Sequence, residues 1–251
     1  MTPPTLELER WSQCSSQCWS QCWSQWCFDC DGTILDSARV FTAAYERAVC
    51  ALGGTPVSDY WHRRRAGESD ARLCVVAGVR PADFEQYRRL RQEAFDTTTA
   101  VAPPFAAARP LFQRLRLLGL QVVVISYRSS AISLLRDLHE AGLSGYASHW
   151  YATKEPLAGC RTGSDDASAG KYEVLRRLSV SAPTVMVGDS ESDIRAARSA
   201  GVSSIGLASG CSSARELLQA GADWVFPSVD HLYACLRSEE RANHEHQQMA
   251  S

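Results

Sequence analysis

The chain has neither a long apolar run nor a surplus of charge of one sign. Its 251 residues include 26 Lys and Arg against 28 Asp and Glu, which gives a net charge of -2. No apolar stretch reaches the roughly 20 residues that a membrane-spanning helix needs. Because no basic stripe stands out either, the sequence predicts a protein whose main partner is neither membrane nor nucleic acid. The first ten residues lack the charged-then-apolar pattern of a secretory signal, so we expect a cytoplasmic protein.

Cysteine, in contrast, is abundant, with ten residues. The most regular are Cys14, Cys18 and Cys22, which follow a four-residue step in the low-complexity segment 11–27. On a helix this step would form one stripe, and a metal or disulfide cluster is one interpretation. The spacing is not one that zinc sites use. We therefore favour the alternative that residues 1–24 form a low-complexity, partly disordered leader.

The first segment that indicates chemistry contains two aspartates. In Phe-Asp-Cys-Asp-Gly-Thr-Ile-Leu-Asp-Ser, Asp29 and Asp31 stand two residues apart, directly before a Gly-Thr turn. Residues i and i+2 of a strand point to the same side, and open α/β sheets bind ligands beyond the carboxyl ends of their strands. Two carboxylates so close together favour a divalent cation or a shared proton. The alternative is a plain turn, since Asp-Gly is a common turn dipeptide.

A second acidic pair lies much further along the chain. The apolar run from Thr184 to Val187 predicts a short strand that ends at Gly188, and Asp189 follows at its tip. Asp193 comes one helical turn later. These carboxylates could complete an oxygen-rich Mg²⁺ site with the first pair. The alternative is a helix N-cap surrounded by solvated charges.

Together, the two segments resemble the motifs of the haloacid dehalogenase (HAD) superfamily. The first fits D-x-D-G-T-[LI]-x-D-S at every fixed position, and the second fits G-D-S-x-x-D. The resemblance implies an α/β fold, with a Rossmann-like parallel sheet core and a small inserted α-helical cap domain like that of the phosphoglycolate phosphatase-like branch. The alternation of predicted strands and helices in the second half agrees with a parallel sheet. The predicted core covers 25–37 and 104–236, the cap covers 38–103, and a polar tail covers 237–251.

The resemblance also identifies candidates for the two shorter family motifs. Ser126 follows the apolar strand Leu120 to Ile125, where the family places a phosphoryl-binding Ser or Thr. For Arg128, two residues later, we consider a phosphate or substrate contact and a surface charge, and we favour the surface charge. Lys171 opens an amphipathic helix before the Asp189 strand and is favoured as the motif lysine over Lys154.

The family chemistry assigns a role to each of these positions. Asp29 would be the nucleophile that forms an aspartyl-phosphate, and Asp31 the general acid and then the general base. Ser126 and Lys171 would hold the non-reacting phosphoryl oxygens, and Gly32, Thr33 and Arg128 are the candidates for substrate binding. A Mg²⁺ ion would be held by Asp29, the backbone carbonyl of Asp31, and Asp189, with Asp193 close by.

The second carboxylate, Asp31, favours a phosphate ester as substrate. A halide leaving group needs no proton, and the dehalogenases of the superfamily lack this residue. We therefore predict a Mg²⁺-dependent phosphatase whose partner is a small phosphorylated metabolite, such as phosphoglycolate or a sugar phosphate. One alternative is a sugar phosphomutase of the same branch, and another is a non-catalytic HAD-like binding protein. Neither the individual substrate nor the oligomeric state can be predicted from the residues.

Overall fold

The computed structural model describes residues 22–98, 100–154 and 167–238. Most of the predicted leader and most of the predicted polar tail therefore lie outside the described residues, and so do residues 155–166. The described strands form one parallel sheet with the order β3-β2-β1-β4-β5-β6, which confirms the predicted fold class. They are β1 (Gln25–Phe28), β2 (Gln121–Ser126), β3 (His149–Ala152), β4 (Thr184–Gly188), β5 (Ser203–Leu207) and β6 (Trp224–Phe226).

Helices connect the strands from β2 onwards and cover both faces of the sheet. They are α5 (Ala108–Leu117), α6 (Ala131–Glu140), α7 (Ala167–Ser179), α8 (Glu191–Ala200) and α9 (Ala214–Ala220). Residues 229–238 form a further helix that we did not predict, and its buried Leu232 joins the sheet core. None of the described helices is long and apolar enough to cross a membrane.

Alternate residues of the strands supply two separate hydrophobic cores, as the two-residue period of a strand requires. Trp26 and Phe28 of β1 pack in one cluster with α5 and α6. Cys27, between them, packs in the other cluster with α7 and α8. The two helix layers therefore fix β1 from both sides.

The central strand β1 is only four residues long. All four residues pair with β2 on one side and with β4 on the other. Aromatic packing extends this core, because Trp23 meets Trp26 edge to face at 5.6 Å and Phe28 lies 4.9 Å from Phe112, centroid to centroid. Buried aromatic residues contribute more packing area than any other side chains. We attribute the stability of the short strand to this packing and to its two neighbours.

Residues 38–98, which we call the helical insert, separate β1 from β2. They contain α1 (Ala38–Ala51), α2 (Tyr60–Arg65), α3 (Asp70–Val76), a 3₁₀ turn (Pro81–Asp83) and α4 (Phe84–Asp96). The insert has a hydrophobic cluster of its own, in which the rings of Tyr45 and Tyr60 stack at 3.9 Å. The insert therefore packs around a small hydrophobic core of its own.

Candidate active site

The candidate residues meet at the carboxyl ends of three adjacent strands. Asp29 follows β1, Ser126 is the last residue of β2, and Asp189 follows β4. The backbone N–H of Asp29 donates to the carbonyl of Val187 at 2.8 Å, which extends the pairing of β1 with β4 up to the site. Parallel strands end at the same edge of a sheet, so residues 63 to 160 positions apart in sequence are brought together there.

The buried ammonium of Lys171 joins two of the carboxylates. Its Nζ lies 2.8 Å from Oδ1 of Asp29 and 2.5 Å from Oδ1 of Asp193. Lys171 is only 2% exposed. Lys154, the competing candidate, lies 3.8 Å from Asp96 instead. The structure thus brings Lys171 to the predicted nucleophile and places Lys154 beside the end of α4.

Three buried carboxylates could hold a metal ion together. Asp29, Asp189 and Asp193 each offer one oxygen, and these oxygens lie within 4.8 Å of one another. Hard carboxylate oxygens are the ligands that Mg²⁺ prefers, and one lysine does not balance three negative charges. The donor set therefore fits a divalent cation. The carboxylate of Asp31 is not part of this group, so its predicted role as a ligand rests on its backbone carbonyl.

Burial shifts the pKa values of the carboxylates in this group. Burial raises the pKa of Asp29 well above its usual value, the Lys171 ammonium lowers it, and Asp193 and Asp189 raise it again. Burial is also the main cause of a raised pKa at Asp189. The pKa of Lys171 is raised as well, because the two neighbouring carboxylates outweigh the effect of its burial. A bound divalent cation would favour the ionised form of both aspartates.

Contacts from two loops fix the orientation of Asp189. The hydroxyl of Thr33 donates to its Oδ1 at 3.0 Å, and the backbone N–H of Cys211 donates to its Oδ2 at 2.7 Å. Thr33 was among the predicted site residues, and this contact fits a role in steadying the loop. Cys211 was not predicted, because no motif marks the loop after β5.

The N-cap interpretation of the second acidic motif is correct for Ser190, but its charges are not solvated, because Asp189 and Asp193 are buried. Ser190 and Asp193 form a capping box at the start of α8, in which the N–H of Ser190 donates to Oδ2 of Asp193 at 3.0 Å. The other oxygen of Asp193 is the one that accepts from Lys171. One carboxylate thus caps the helix and also faces the site.

Two glycines allow the carboxylates to approach the backbone closely. Gly32 has a φ of +83°, which favours glycine, and a Cβ added there would lie 2.5 Å from Oδ2 of Asp189. A Cβ on Gly188 would lie 2.3 Å from the carboxyl carbon of Asp193. The glycines of both motifs are therefore required by the packing around the site.

Arg128 is not a surface charge, so the interpretation that we favoured from sequence is wrong. It is 7% exposed, and two of its nitrogens donate to Asp31, at 2.8 and 2.7 Å. A third nitrogen donates to Asp137 at 2.5 Å. Asp31 and Asp137 lie 97 and 9 residues away in sequence, and Asp137 belongs to no motif, so no local pattern indicated this ion-pair group.

The parallel sheet, the insert after β1 and the acidic groups at the strand ends define a hydrolase of the HAD type. Residues 27–201 match the family model of the haloacid dehalogenase-like hydrolases. The chain therefore belongs to this family, as its motifs predicted.

Two curated relatives carry the same name. A phosphoglycolate phosphatase of Neisseria meningitidis is 27% identical over 233 residues, which cover 85% of this chain and 93% of the relative. A phosphoglycolate phosphatase of Pseudomonas putida is 25% identical over 198 residues, which cover 76% of this chain and 71% of the relative.

Solved structures agree with the fold. A haloacid dehalogenase-like hydrolase from Streptococcus pneumoniae is similar with a TM-score of 0.64 at 14% identity, over 84% of this chain and 97% of that one. A second, from Bacteroides fragilis, has a TM-score of 0.62 at 22% identity, over 84% of this chain and 99% of that one.

Proposed function

We propose that this protein is a Mg²⁺-dependent phosphatase that hydrolyses a small phosphomonoester through an aspartyl-phosphate on Asp29. The observation that carries the proposal is the position of the Asp29 carboxylate at the tip of β1. It lies 2.8 Å from the Lys171 ammonium and belongs to a group of three buried carboxylates. A phosphoryl dianion placed there would meet a nucleophile, a positive charge and a site for a divalent cation.

The reaction takes two steps. In the first, an oxygen of Asp29 attacks phosphorus and the bond between phosphorus and the ester oxygen breaks. Asp31 gives its proton to the departing oxygen, so that an alcohol leaves and the aspartyl-phosphate remains. In the second step, water attacks phosphorus while Asp31 accepts a proton from it, and the bond to Asp29 breaks. Ester and water are thereby converted into alcohol and inorganic phosphate.

The other site residues stabilise charge during these steps. Lys171 reaches Asp29 and would bind a non-reacting phosphoryl oxygen, as would the hydroxyl of Ser126 at the end of β2. Gly32 and Thr33 form the turn over which the phosphoryl group would lie. When bound, Mg²⁺ supplies positive charge that offsets the repulsion between Asp29 and the phosphate dianion. The residues that would hold it are Asp29, Asp189 and Asp193, with the backbone carbonyl of Asp31.

The helical insert is proposed to act as a cap over this site. It already contacts the loop that orients Asp189, because the guanidinium of Arg64 donates to the carbonyl of Cys211 at 3.1 Å. The N–H of the same Cys211 donates to Asp189. A cap that excludes bulk water strengthens the electrostatic interactions at the reacting group.

The substrate class follows from the relatives and from the chemistry of the site. Both curated relatives reported above are named phosphoglycolate phosphatase. We therefore propose a small phosphomonoester of the phosphoglycolate or sugar phosphate class.

Release of inorganic phosphate from a panel of small phosphomonoesters, with Mg²⁺ and with a chelator, tests the proposal. We expect release that requires Mg²⁺ and is abolished in Asp29→Asn. Asp59→Asn, the same change at an exposed residue of the insert, is the matched control and should retain activity. No release from any ester by folded wild-type protein would contradict the phosphatase. Conversion of a sugar phosphate to its isomer without release would instead indicate the phosphomutase.

A further inference from the structure

The carboxylate of Asp31 accepts a bidentate contact from the guanidinium of Arg128. Nε of Arg128 donates to its Oδ2 at 2.8 Å, and Nη2 donates to its Oδ1 at 2.7 Å. The hydroxyl of Ser37 also donates to Oδ1, at 2.7 Å. The planar guanidinium fork matches the two oxygens of a carboxylate, so this contact fixes both the place and the rotation of the carboxyl group.

Arg128 is itself held from two other sides. Its Nη1 donates to Oδ2 of Asp137 at 2.5 Å. Asp137 lies on α6 and is not one of the three carboxylates that could hold a metal ion. The guanidinium carbon lies 5.7 Å from the centroid of the Phe95 ring, near the end of α4. A side chain that is 7% exposed and contacts Asp31, Asp137 and Phe95 has little freedom to move. It connects the end of the helical insert with the predicted general acid.

We propose that Arg128 is a positioning residue, which holds the Asp31 carboxyl group in the orientation needed for proton transfer. The proposal rests on the function proposed above, in which Asp31 protonates the leaving oxygen. It assigns Arg128 a role through Asp31, in place of the substrate contact that was the alternative considered from sequence.

The contacts also distinguish the two oxygens of Asp31. Oδ1 accepts from both Ser37 and Arg128, whereas Oδ2 accepts from Nε of Arg128. Oδ2 therefore has a lone pair that none of these donors uses. In the first step Asp31 passes its proton to the ester oxygen as the P–O bond breaks, and Arg128 binds the carboxylate that results. In the second step Asp31 accepts a proton from the attacking water.

A comparison of phenyl phosphate with 4-nitrophenyl phosphate tests this role. The two esters have nearly the same shape, but nitrophenolate leaves readily without a proton and phenolate does not. The quantity measured is the ratio of kcat/KM for the two esters, which reports on the first step. Because both esters are assayed on the same sample, any unfolded fraction cancels from the ratio.

The informative variant is Arg128→Lys, which keeps the charge but cannot bind both oxygens and Asp137 at once. Misplacing a general acid costs up to about 10²-fold, so we expect roughly that loss for phenyl phosphate and a loss below about threefold for 4-nitrophenyl phosphate. Asp137→Asn, which removes the anchor of Arg128, should shift the ratio in the same direction by a smaller factor.

Arg91→Lys is the matched control. Arg91 also pairs with an aspartate, Asp70, and also lies over an aromatic ring, that of Tyr87 at 5.7 Å. It belongs to the helical insert, and its substitution should leave the ratio unchanged. If Arg128→Lys lowered kcat/KM by the same factor for both esters, the ratio would be unchanged. This result would overturn the positioning role while the phosphatase stands. If the wild type hydrolysed neither aryl ester nor any ester of the panel described above, the proposed function and this inference would fall together.

Discussion

Two ion-pair clusters lie side by side at this site, and they differ in charge balance. In the lysine cluster, one ammonium, that of Lys171, stands among the three carboxylates of Asp29, Asp189 and Asp193. In the arginine cluster, the two carboxylates of Asp31 and Asp137 are met by two guanidinium groups, those of Arg128 and Arg136. With its carboxylates ionised, the first cluster has three negative charges against one positive charge, whereas the second has two of each.

This difference in charge balance indicates a different role for each cluster. An uncompensated group of carboxylates is costly to bury unless a further cation binds, so the lysine cluster is suited to binding a divalent cation. A balanced group with bidentate geometry is suited to holding one side chain in place. Asp29 and Asp31 are two residues apart, yet each belongs to a different cluster.

The largest effect is expected at the nucleophile. Asp29→Asn removes the attacking oxygen, and we expect kcat to fall by about 10⁴-fold or more, as for other nucleophile substitutions. Steady-state phosphate release, with the melting temperature as a check of folding, measures this. Residual activity within tenfold of the wild type would remove Asp29 from the chemistry.

The lysine of the same cluster should have the next largest effect. Lys171→Met keeps the length of the side chain but removes the charge that faces Asp29, and we expect a loss in kcat of about 10²–10³-fold. Lys154→Met is the matched control and should remain close to wild type, because Lys154 lies beside Asp96. If the control lost more activity than Lys171→Met, the assignment of the motif lysine would be wrong.

Mg²⁺ should stabilise the folded protein through the lysine cluster alone. At a concentration about 100 times its Kd, a ligand raises the free energy of unfolding by about 2.7 kcal/mol. This corresponds to a rise in melting temperature of roughly 5–10 °C for a chain of this size. Differential scanning fluorimetry should show this rise in the wild type and lose it in Asp189→Asn. A rise of the same size in Asp189→Asn would place the ion elsewhere.

The smallest effect is expected from the anchor of the arginine cluster. Asp137→Asn leaves Arg128 paired with Asp31 but weakens a buried charged hydrogen bond, at a cost of about 1–3 kcal/mol in the free energy of unfolding. Urea unfolding measures this loss. The Mg²⁺-dependent rise in melting temperature should persist in this variant, and its disappearance would show that the two clusters do not act separately.

The carboxylates of the lysine cluster could be predicted from sequence because they follow local rules, whereas Lys171 was assigned from the family resemblance. Asp29 and Asp189 stand directly after apolar strands, and parallel strands end at one edge of a sheet. Asp193 follows at helical spacing. The short apolar runs also predicted the strands, with bounds that differ from the structure by a few residues.

The arginine cluster could not be predicted in the same way. Arg128 follows a strand within a polar stretch, Tyr-Arg-Ser-Ser, which is typical of an exposed loop. Its burial depends on Asp137, on the far side of a turn, and on Phe95, at the end of the insert. The contact of Cys211 with Asp189 is made by the backbone N–H of Cys211. Almost any residue can supply a backbone N–H, so the residue type at this position did not indicate the contact.

Chemical trapping of the phosphorylated residue tests the central claim most directly. Wild-type protein would be quenched in acid during turnover of a phosphomonoester, reduced with borohydride, which converts an aspartyl-phosphate to homoserine, and analysed by peptide mass spectrometry. We predict homoserine at position 29 of the wild type, and only when Mg²⁺ is present. The Asp29→Asn variant should contain no homoserine at this position. Phosphate release by the wild type without any modification at Asp29, or with modification at Asp31 instead, would contradict the account.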